Sequence, residues 1–201
     1  MKKLKLQVQL TVDGYNGDSN GNLEWHFATK WSKDLMDYVN TLTDSCGTIL
    51  LGRKMTDGFV SAWSELVKDE KNPNYQFAKK MVDTPKIVFT KTLEKSKWDN
   101  TTIATGDLKE EIKKLKNGAG KDIIVYGGTS FVSSLIKDGL IDELHLFVNP
   151  VVLGKGTSIF KEVTELQFLT LVKAEVFTCG IVVIVYKPKK INQNKFNLLL
   201  N

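Results

Sequence analysis

Cysteine and histidine are both scarce here, two of each in 201 residues. Cys46 and Cys179 lie far apart, each beside a glycine in apolar surroundings. Two lone thiols of this kind read as reduced core or strand residues of a cytoplasmic protein, not as a disulfide framework. With only His26 and His145, and no close cysteine pair, the chain lacks the ligand spacing of a zinc site, so no metal is expected. Proline is also rare, and no Pro/Ser-rich linker or shift in composition divides the chain. A single domain over residues 1–187 is therefore expected. Nowhere do the roughly 20 consecutive apolar residues of a membrane helix occur. The opening MKKLKLQVQL alternates polar with apolar residues, which marks a strand and not a signal peptide. Acid is missing from residues 187–201, where Lys187, Lys189, Lys190 and Lys195 supply four charges of the net +5. The remaining body is nearly neutral and has no basic stripe for nucleic acid. Residues 188–201 read as a basic C-terminal tail outside the core, with a weak contact to an acidic surface left open.

What is present is a regular succession of strand and helix patterns. Leu4, Leu6, Val8, Leu10 and Val12 alternate with polar residues, the pattern of a strand with one buried face. Ser32 to Leu42 reads as a helix, with Ser32 at its cap and Leu35, Met36, Val39 and Leu42 as its buried stripe. Thr48–Leu51 and Lys86–Phe89 are short strands, and Trp98–Ala104 is a weaker one. Asp57 to Asn74 reads as a loop, followed by a short helix over Phe77–Val82. Leu108, Ile112 and Leu115 mark the inner face of a further helix, started by Thr105-Gly106-Asp107. Leu144–Val148 is a strand, on which His145 reads as a packed or surface residue. Leu169–Thr178 and Ile181–Tyr186 form a closing hairpin across Cys179-Gly180.

Two bends in this succession carry chemistry. Ile123-Ile124-Val125-Tyr126 is a short apolar strand that runs into Gly127-Gly128, and Thr129 then opens a helix. Such an order leaves unpaired N–H groups and the positive end of a helix where an anion can reach them. The dinucleotide fingerprint with three glycines is absent, so a plain tight turn is an equally good description of these residues alone. The second bend is Gly52-Arg53-Lys54-Met55-Thr56, directly after a strand, where the arginine offers a planar fork to phosphate. A solvated Arg-Lys pair is the alternative. Between these bends and the N-terminus lies Asp13-Gly14-Tyr15, on its face a simple Asp-Gly turn.

The run from Gly127 through Gly139-Leu140-Ile141-Asp142-Glu143-Leu144 to Asn149-Pro150 and Gly154-Lys155-Gly156 resembles the dihydrofolate-reductase-like superfamily. The branch it looks like is that of the riboflavin-biosynthesis reductases, the RibD C-terminal domain-like proteins, and the likeness covers most of residues 3–187. It implies an α/β three-layer α/β/α fold, with a mostly parallel central sheet and an antiparallel C-terminal hairpin. It also implies NADPH as cofactor, bound by Gly52, Arg53, Lys54 and Thr56, by Thr90 and Lys91, and by Gly127, Gly128 and Thr129. Asp13 is then expected to face the substrate and to orient it or relay a proton. Trp25 would contact substrate from a flap, or else simply anchor its loop.

The reaction implied is hydride delivery to the ribosyl C1 of a phosphorylated aminopyrimidine, as in 5-amino-6-(5-phosphoribosylamino)uracil reductase. Two departures qualify the likeness. Met55 stands where the superfamily has threonine, with Thr56 one place later. No acid follows Trp25 until Asp34, which sets the chain apart from folate reductases. The expected partner is a small molecule, with no nucleic acid or membrane, and a homodimer is possible by analogy. The alternatives are a non-catalytic nucleotide-binding protein of this fold and a dihydrofolate or pterin reductase.

Overall fold

A computed structural model describes residues 1–189, so all but the first two residues of the expected tail lie outside the described residues. Eight strands are present among them: β1 (Leu4–Thr11), β2 (Cys46–Gly52), β3 (Lys86–Phe89), β4 (Thr101–Ala104), β5 (Asp122–Gly127), β6 (Glu143–Asn149), β7 (Leu169–Val176) and β8 (Val182–Pro188). They form one sheet in the order β4-β3-β2-β5-β1-β6-β8-β7. The first six run parallel, β8 is antiparallel to β6, and β7 is antiparallel to β8. Five helices accompany them: α1 (Lys33–Asp44), α2 (Arg53–Leu66), α3 (Tyr75–Asp83), α4 (Leu108–Asn117) and α5 (Thr129–Lys137).

The two sheet faces bury separate cores. Leu35, Val39 and Leu42 of α1, Phe59 of α2, and Phe77 and Met81 of α3 pack against Ile49, Leu51, Ile124 and Phe147. On the other face, Ile112 of α4 and Val132, Leu135 and Ile136 of α5 cover Leu4, Leu6, Leu50 and Val125. Helices on both faces of a mostly parallel sheet make the three-layer α/β/α fold that was expected. Each fully buried leucine or isoleucine contributes about 1.5–3 kcal/mol through removal of its apolar surface from water.

Three local expectations are corrected by this arrangement. The strand β1 is buried on both faces, Lys5 and Gln7 included, because β5 and β6 flank it and helices lie above and below. The Lys5 ammonium is satisfied locally, with Nζ 2.8 Å from Ser45 Oγ and 2.9 Å from Asp122. The expected loop after Asp57 is instead the body of α2, which continues to Leu66. Its inward residues Phe59 and Trp63 meet edge to face at 6.0 Å, and Trp63 meets Phe77 of α3 at 5.3 Å. Ser32 does occupy the position before α1, but its hydroxyl turns to Asp34 and makes no cap to the backbone.

The closing hairpin reaches one residue past the expected domain end, since Pro188 pairs with Leu169 and Lys189 N donates to Phe168 O. Cys46 and Cys179 are both free thiols. His145 is buried within β6, with Nδ1 2.8 Å from the Tyr38 hydroxyl.

Candidate functional site

Parallel strands all present their carboxyl ends at one edge of the sheet, and the order of the strands decides which loops become neighbours there. The order here places β3, β2, β5 and β1 side by side. Thr90 and Lys91, Gly52 and Arg53, Gly127 to Thr129, and Asp13 follow those four strands in turn. Residues scattered over most of the chain thus line one edge, where ligands bind in open α/β sheets.

At its centre the two glycine bends touch. Leu51 of β2 pairs with Gly127 of β5. A methyl group on Gly52 would come within 3.0 Å of the Gly128 nitrogen and 2.9 Å of Phe131 Cβ. Gly127 has a φ of +150°, and a side chain on it would meet the Met55 sulfur at 2.8 Å. The peptide bond between Gly127 and Gly128 is cis. Met55, the departure from the threonine pattern, therefore lies against the second bend as a packing residue.

Gly52 and Gly128 are the N-caps of α2 and α5, and neither helix start has a side-chain cap or an acid in its first turn. The contrast with α4 is direct. There the Asp107 carboxylate accepts from the amides of Lys109 and Glu110, with Glu110 and Glu111 adding negative charge. Two helix starts left open side by side leave backbone N–H groups and two positive dipole ends for an anion.

Arg53 is held beside this edge. Its guanidinium lies 3.1 Å from Asp57, one turn along α2, and 5.3 Å from the centre of the Trp98 ring. Asp57 also accepts from Trp98 Nε1 at 3.0 Å and pairs with Lys97 at 2.8 Å. These donors, Lys97 foremost, hold the Asp57 carboxyl below its ordinary range. Lys54 and Lys91 are exposed. Thr56 is fully buried, and its hydroxyl donates to the Gly52 carbonyl at 3.1 Å. It braces the first turn of α2, with its hydroxyl turned to the backbone and not outward. Thr90 is buried too, accepting from Thr92 N and meeting its hydroxyl, both at 3.1 Å.

Asp13 is exposed, and each of its carboxylate oxygens already has a protein donor. It accepts from Thr11 Oγ1 at 2.6 Å, from Gly154 N at 2.7 Å and from Leu153 N at 3.3 Å. The Thr11 hydroxyl foremost holds its carboxyl below the ordinary value, so it stands ionised and ties the loop after β6 to the end of β1. An ionised, hydrogen-bonded carboxylate orients donors well but is a weak proton acceptor.

Thr129 opens α5 and meets Asn16, whose Nδ2 lies 3.1 Å from its hydroxyl. Asn16 is itself buried, and its N–H donates to Thr157 O at 2.9 Å. It thereby joins the loop after β1, the loop after β6 and the start of α5. Sequence reasoning passes over Asn16, since no local pattern sets one loop asparagine apart from another. Asp57 is legible as the residue four places after Arg53, whereas nothing in the sequence links Trp98 to either.

Trp25 lies on a single 3₁₀ turn over Glu24–Phe27, and its ring meets His26 edge-on at 4.2 Å. Trp25 Nε1 and His26 Nε2 are both buried and have no protein partner among the described residues. Burial holds the His26 imidazole below its ordinary value, against a contact with the Asn16 backbone.

Comparison with known proteins identifies the family. The model of the RibD C-terminal domain family matches residues 2–183. The uncharacterized protein YyaP of Bacillus subtilis is 33% identical over 188 residues, covering 92% of this chain and 94% of that one. The riboflavin biosynthesis protein RibD of Aquifex aeolicus is 27% identical over 176 residues, but these span 78% of this chain and only 48% of RibD.

Among solved structures, a Shewanella sp. PV-4 protein described under riboflavin biosynthesis superposes with a TM-score of 0.72 at 22% identity. That superposition covers 94% of this chain and all of the other. Enterococcus faecalis dihydrofolate reductase, solved with NADP(H), superposes with a TM-score of 0.58 at 15% identity, over 94% and 97% of the two chains. At such identities the structures establish the fold alone, which is that of the dihydrofolate reductase-like proteins. By the family match over most of its length and a relative aligned nearly end to end, the chain belongs to the RibD C-terminal domain family.

Proposed function

We propose that this protein is an NADPH-dependent reductase that delivers hydride to a small heterocyclic or ribosylamine substrate, as 5-amino-6-(5-phosphoribosylamino)uracil reductase does. The observation that carries the proposal is the contact between Gly52 and Gly128, which brings two uncapped helix starts to adjacent places at one sheet edge. The residues present fit an anionic dinucleotide. Glycine backbones leave room for close approach, two open helix ends favour negative charge, and Arg53, Lys54 and Lys91 add cations beside them.

When bound, the nicotinamide supplies the hydride. The chain's own work is to bind and orient. The first turns of α2 and α5 would hold phosphate oxygens through backbone N–H groups, and Arg53 would fork a further phosphate. Asp13 stays ionised and accepts from amino or hydroxyl groups of the substrate. Trp25, on the 3₁₀ turn over Glu24–Phe27, is the substrate contact from that loop. Fixing both reactants at one edge converts a bimolecular step into an effectively unimolecular one. A small-molecule partner, a cytoplasmic location and a homodimer belong to the same proposal. The exposed outer strand β7, with Leu171, Val172 and Val176 uncovered, is the surface a second copy would pair with.

Fluorescence titration with NADPH and NADH tests the cofactor assignment, and oxidation of NADPH with phosphoribosylaminopyrimidines tests the reaction. Preferred NADPH binding that weakens in Arg53→Ala, together with turnover, is the expected result. Equal binding of both cofactors, unaffected by Arg53→Ala, would overturn the phosphate assignment. Binding without turnover across the substrate panel would favour a non-catalytic nucleotide-binding protein.

A further inference from the structure

The inner strand β1 is buried along its whole length except at one side chain. Of Leu4 to Thr11, only Gln9 is reached by solvent. Its neighbours explain the opening. β6 stays beside β1 as far as Thr11, but β5 pairs with it only as far as Leu6, opposite Val125. Two residues later, at Gly127, β5 ends in the glycine bend. Gln9 therefore stands just past the end of β5, at the sheet edge that also carries Gly128 and Asp13. It is in register with Phe147 of β6, so its side chain lies on the α1 face of the sheet. There Trp31, just before α1, stacks on the Phe147 ring at 6.3 Å.

The Gln9 amide is held in one orientation. Asn149 is buried at the end of β6, with Nδ2 2.8 Å from Gln9 Oε1. The same Nδ2 lies 2.9 Å from the Phe147 carbonyl oxygen and 3.3 Å from that of Leu10. Oxygens on these sides suit only the donor end of the Asn149 amide, which fixes its rotamer. Gln9 must then turn its oxygen to Asn149, and its donor end, Nε2, is the end left for a ligand.

We propose that Gln9 sets substrate specificity, its Nε2 donating to a carbonyl oxygen on the substrate's ring, with Asn149 as the positioning residue that keeps the amide turned that way. The inference rests on the reductase reading of this edge and adds one chemical feature of the substrate, an oxo group on the heterocycle. A fixed N–H donor accepts a carbonyl there and rejects an amino group, whose hydrogens would face those of the amide. The nicotinamide carboxamide also carries a carbonyl, so the two sources are separated by experiment.

The test is calorimetric titration of the full chain, with and without NADPH, using two probes. One is diaminouracil, and the other is tetraaminopyrimidine, its analogue with both ring carbonyls replaced by amino groups. The parent is expected to bind diaminouracil about tenfold or more tightly than the analogue. Gln9→Leu is expected to weaken diaminouracil roughly ten- to a hundredfold and to remove the preference. Gln9→Glu, which offers an acceptor instead of a donor, is expected to reverse it. Asn149→Ala is expected to shrink the ratio of the two affinities, which a merely structural role would leave alone. If that variant fails to fold, the Gln9 variants still decide, since Asn149 keeps its two backbone acceptors in them. NADPH affinity without pyrimidine is expected to be the same in Gln9→Leu and the parent. A matching loss of NADPH affinity would assign the contact to the nicotinamide and overturn the proposal. A preference that survives in Gln9→Leu would overturn it too, as would a parent that does not bind diaminouracil. Selective diaminouracil binding without NADPH binding would support this inference and remove only the cofactor assignment.

Discussion

Gly52 and Gly128 approach so closely that a single added methyl group at Gly52 would press on the Gly128 amide at 3.0 Å. The contact locks the start of α2 to the start of α5. A change at one bend is therefore felt at both.

Gly52→Ala tests that contact. The new Cβ meets Phe131 Cβ at 2.9 Å as well as the backbone, and neither neighbour is a flexible side-chain end. Overpacking of this kind costs about 1–3 kcal/mol. Urea denaturation is expected to show a loss in that range, with weaker NADPH binding in the same variant. Unchanged stability would mean that the two bends move apart freely.

Arg53→Ala separates binding from stability. The ion pair with Asp57 is exposed and spans one helical turn, so its loss costs little folding stability. A charge-assisted hydrogen bond to phosphate is worth roughly 1.5–3 kcal/mol, or about ten- to a hundredfold in affinity. NADPH titration is expected to show that weakening while the melting temperature hardly moves.

Asp13→Asn probes the substrate side of the edge. Asparagine keeps the shape but cannot accept equally well from Thr11, Leu153 and Gly154. A lowered kcat with NADPH affinity unchanged is expected, together with faster proteolysis of the loop after β6. An unchanged kcat would remove Asp13 from the substrate's surroundings.

Asp34 predicts part of the acid limb of stability. Ser32 foremost, with Thr178, holds its carboxyl down to about 2 from an ordinary 3.8. The unfolded chain then takes up the proton first, so stability is fully present above the ordinary value and is lost as pH falls through the folded one. Denaturation measured between about pH 5 and pH 2 is expected to show a shallower fall for Asp34→Asn than for the parent.

His145 acts in the same direction at higher pH. Burial foremost holds its imidazole below the ordinary 6.5, against the opposing pull of Glu143. Its contribution is present above 6.5 and declines as pH falls through the lowered folded value. Tyr38→Phe leaves Nδ1 without the partner seen at 2.8 Å. A stability loss of about 1–3 kcal/mol at neutral pH is expected. His145→Leu is expected to flatten the decline below 6.5.

Much of this molecule is legible from residue order alone. The strand Lys86–Phe89 and the starts of α4 and α5 fall where periodicity and glycine place them. The long helix α2 escapes detection beyond Asp57, because Gly58 and Ser61 blur its inner stripe of Met55, Phe59 and Trp63. The double burial of β1 escapes it too, because Lys5 and Gln7 look like solvent-facing residues until Ser45 and Asp122 supply partners for the lysine. Asn16 and Trp98 act through contacts with residues far along the chain, and spacing along a sequence carries no trace of those.

Residue order alone carries the alternation of strands and helices, the two glycine bends and the family likeness, since each rests on residues close together in the chain. Tertiary structure decided which strands are neighbours, and hence that Gly52 meets Gly128 and that Asp13 is tied to Leu153 and Gly154. It also turned the Thr56 hydroxyl inward, to the Gly52 carbonyl. The reason is physical. Propensity, capping and periodicity act over a few residues, while strand order and the satisfaction of buried polar groups are settled only when distant segments compete for the same partners.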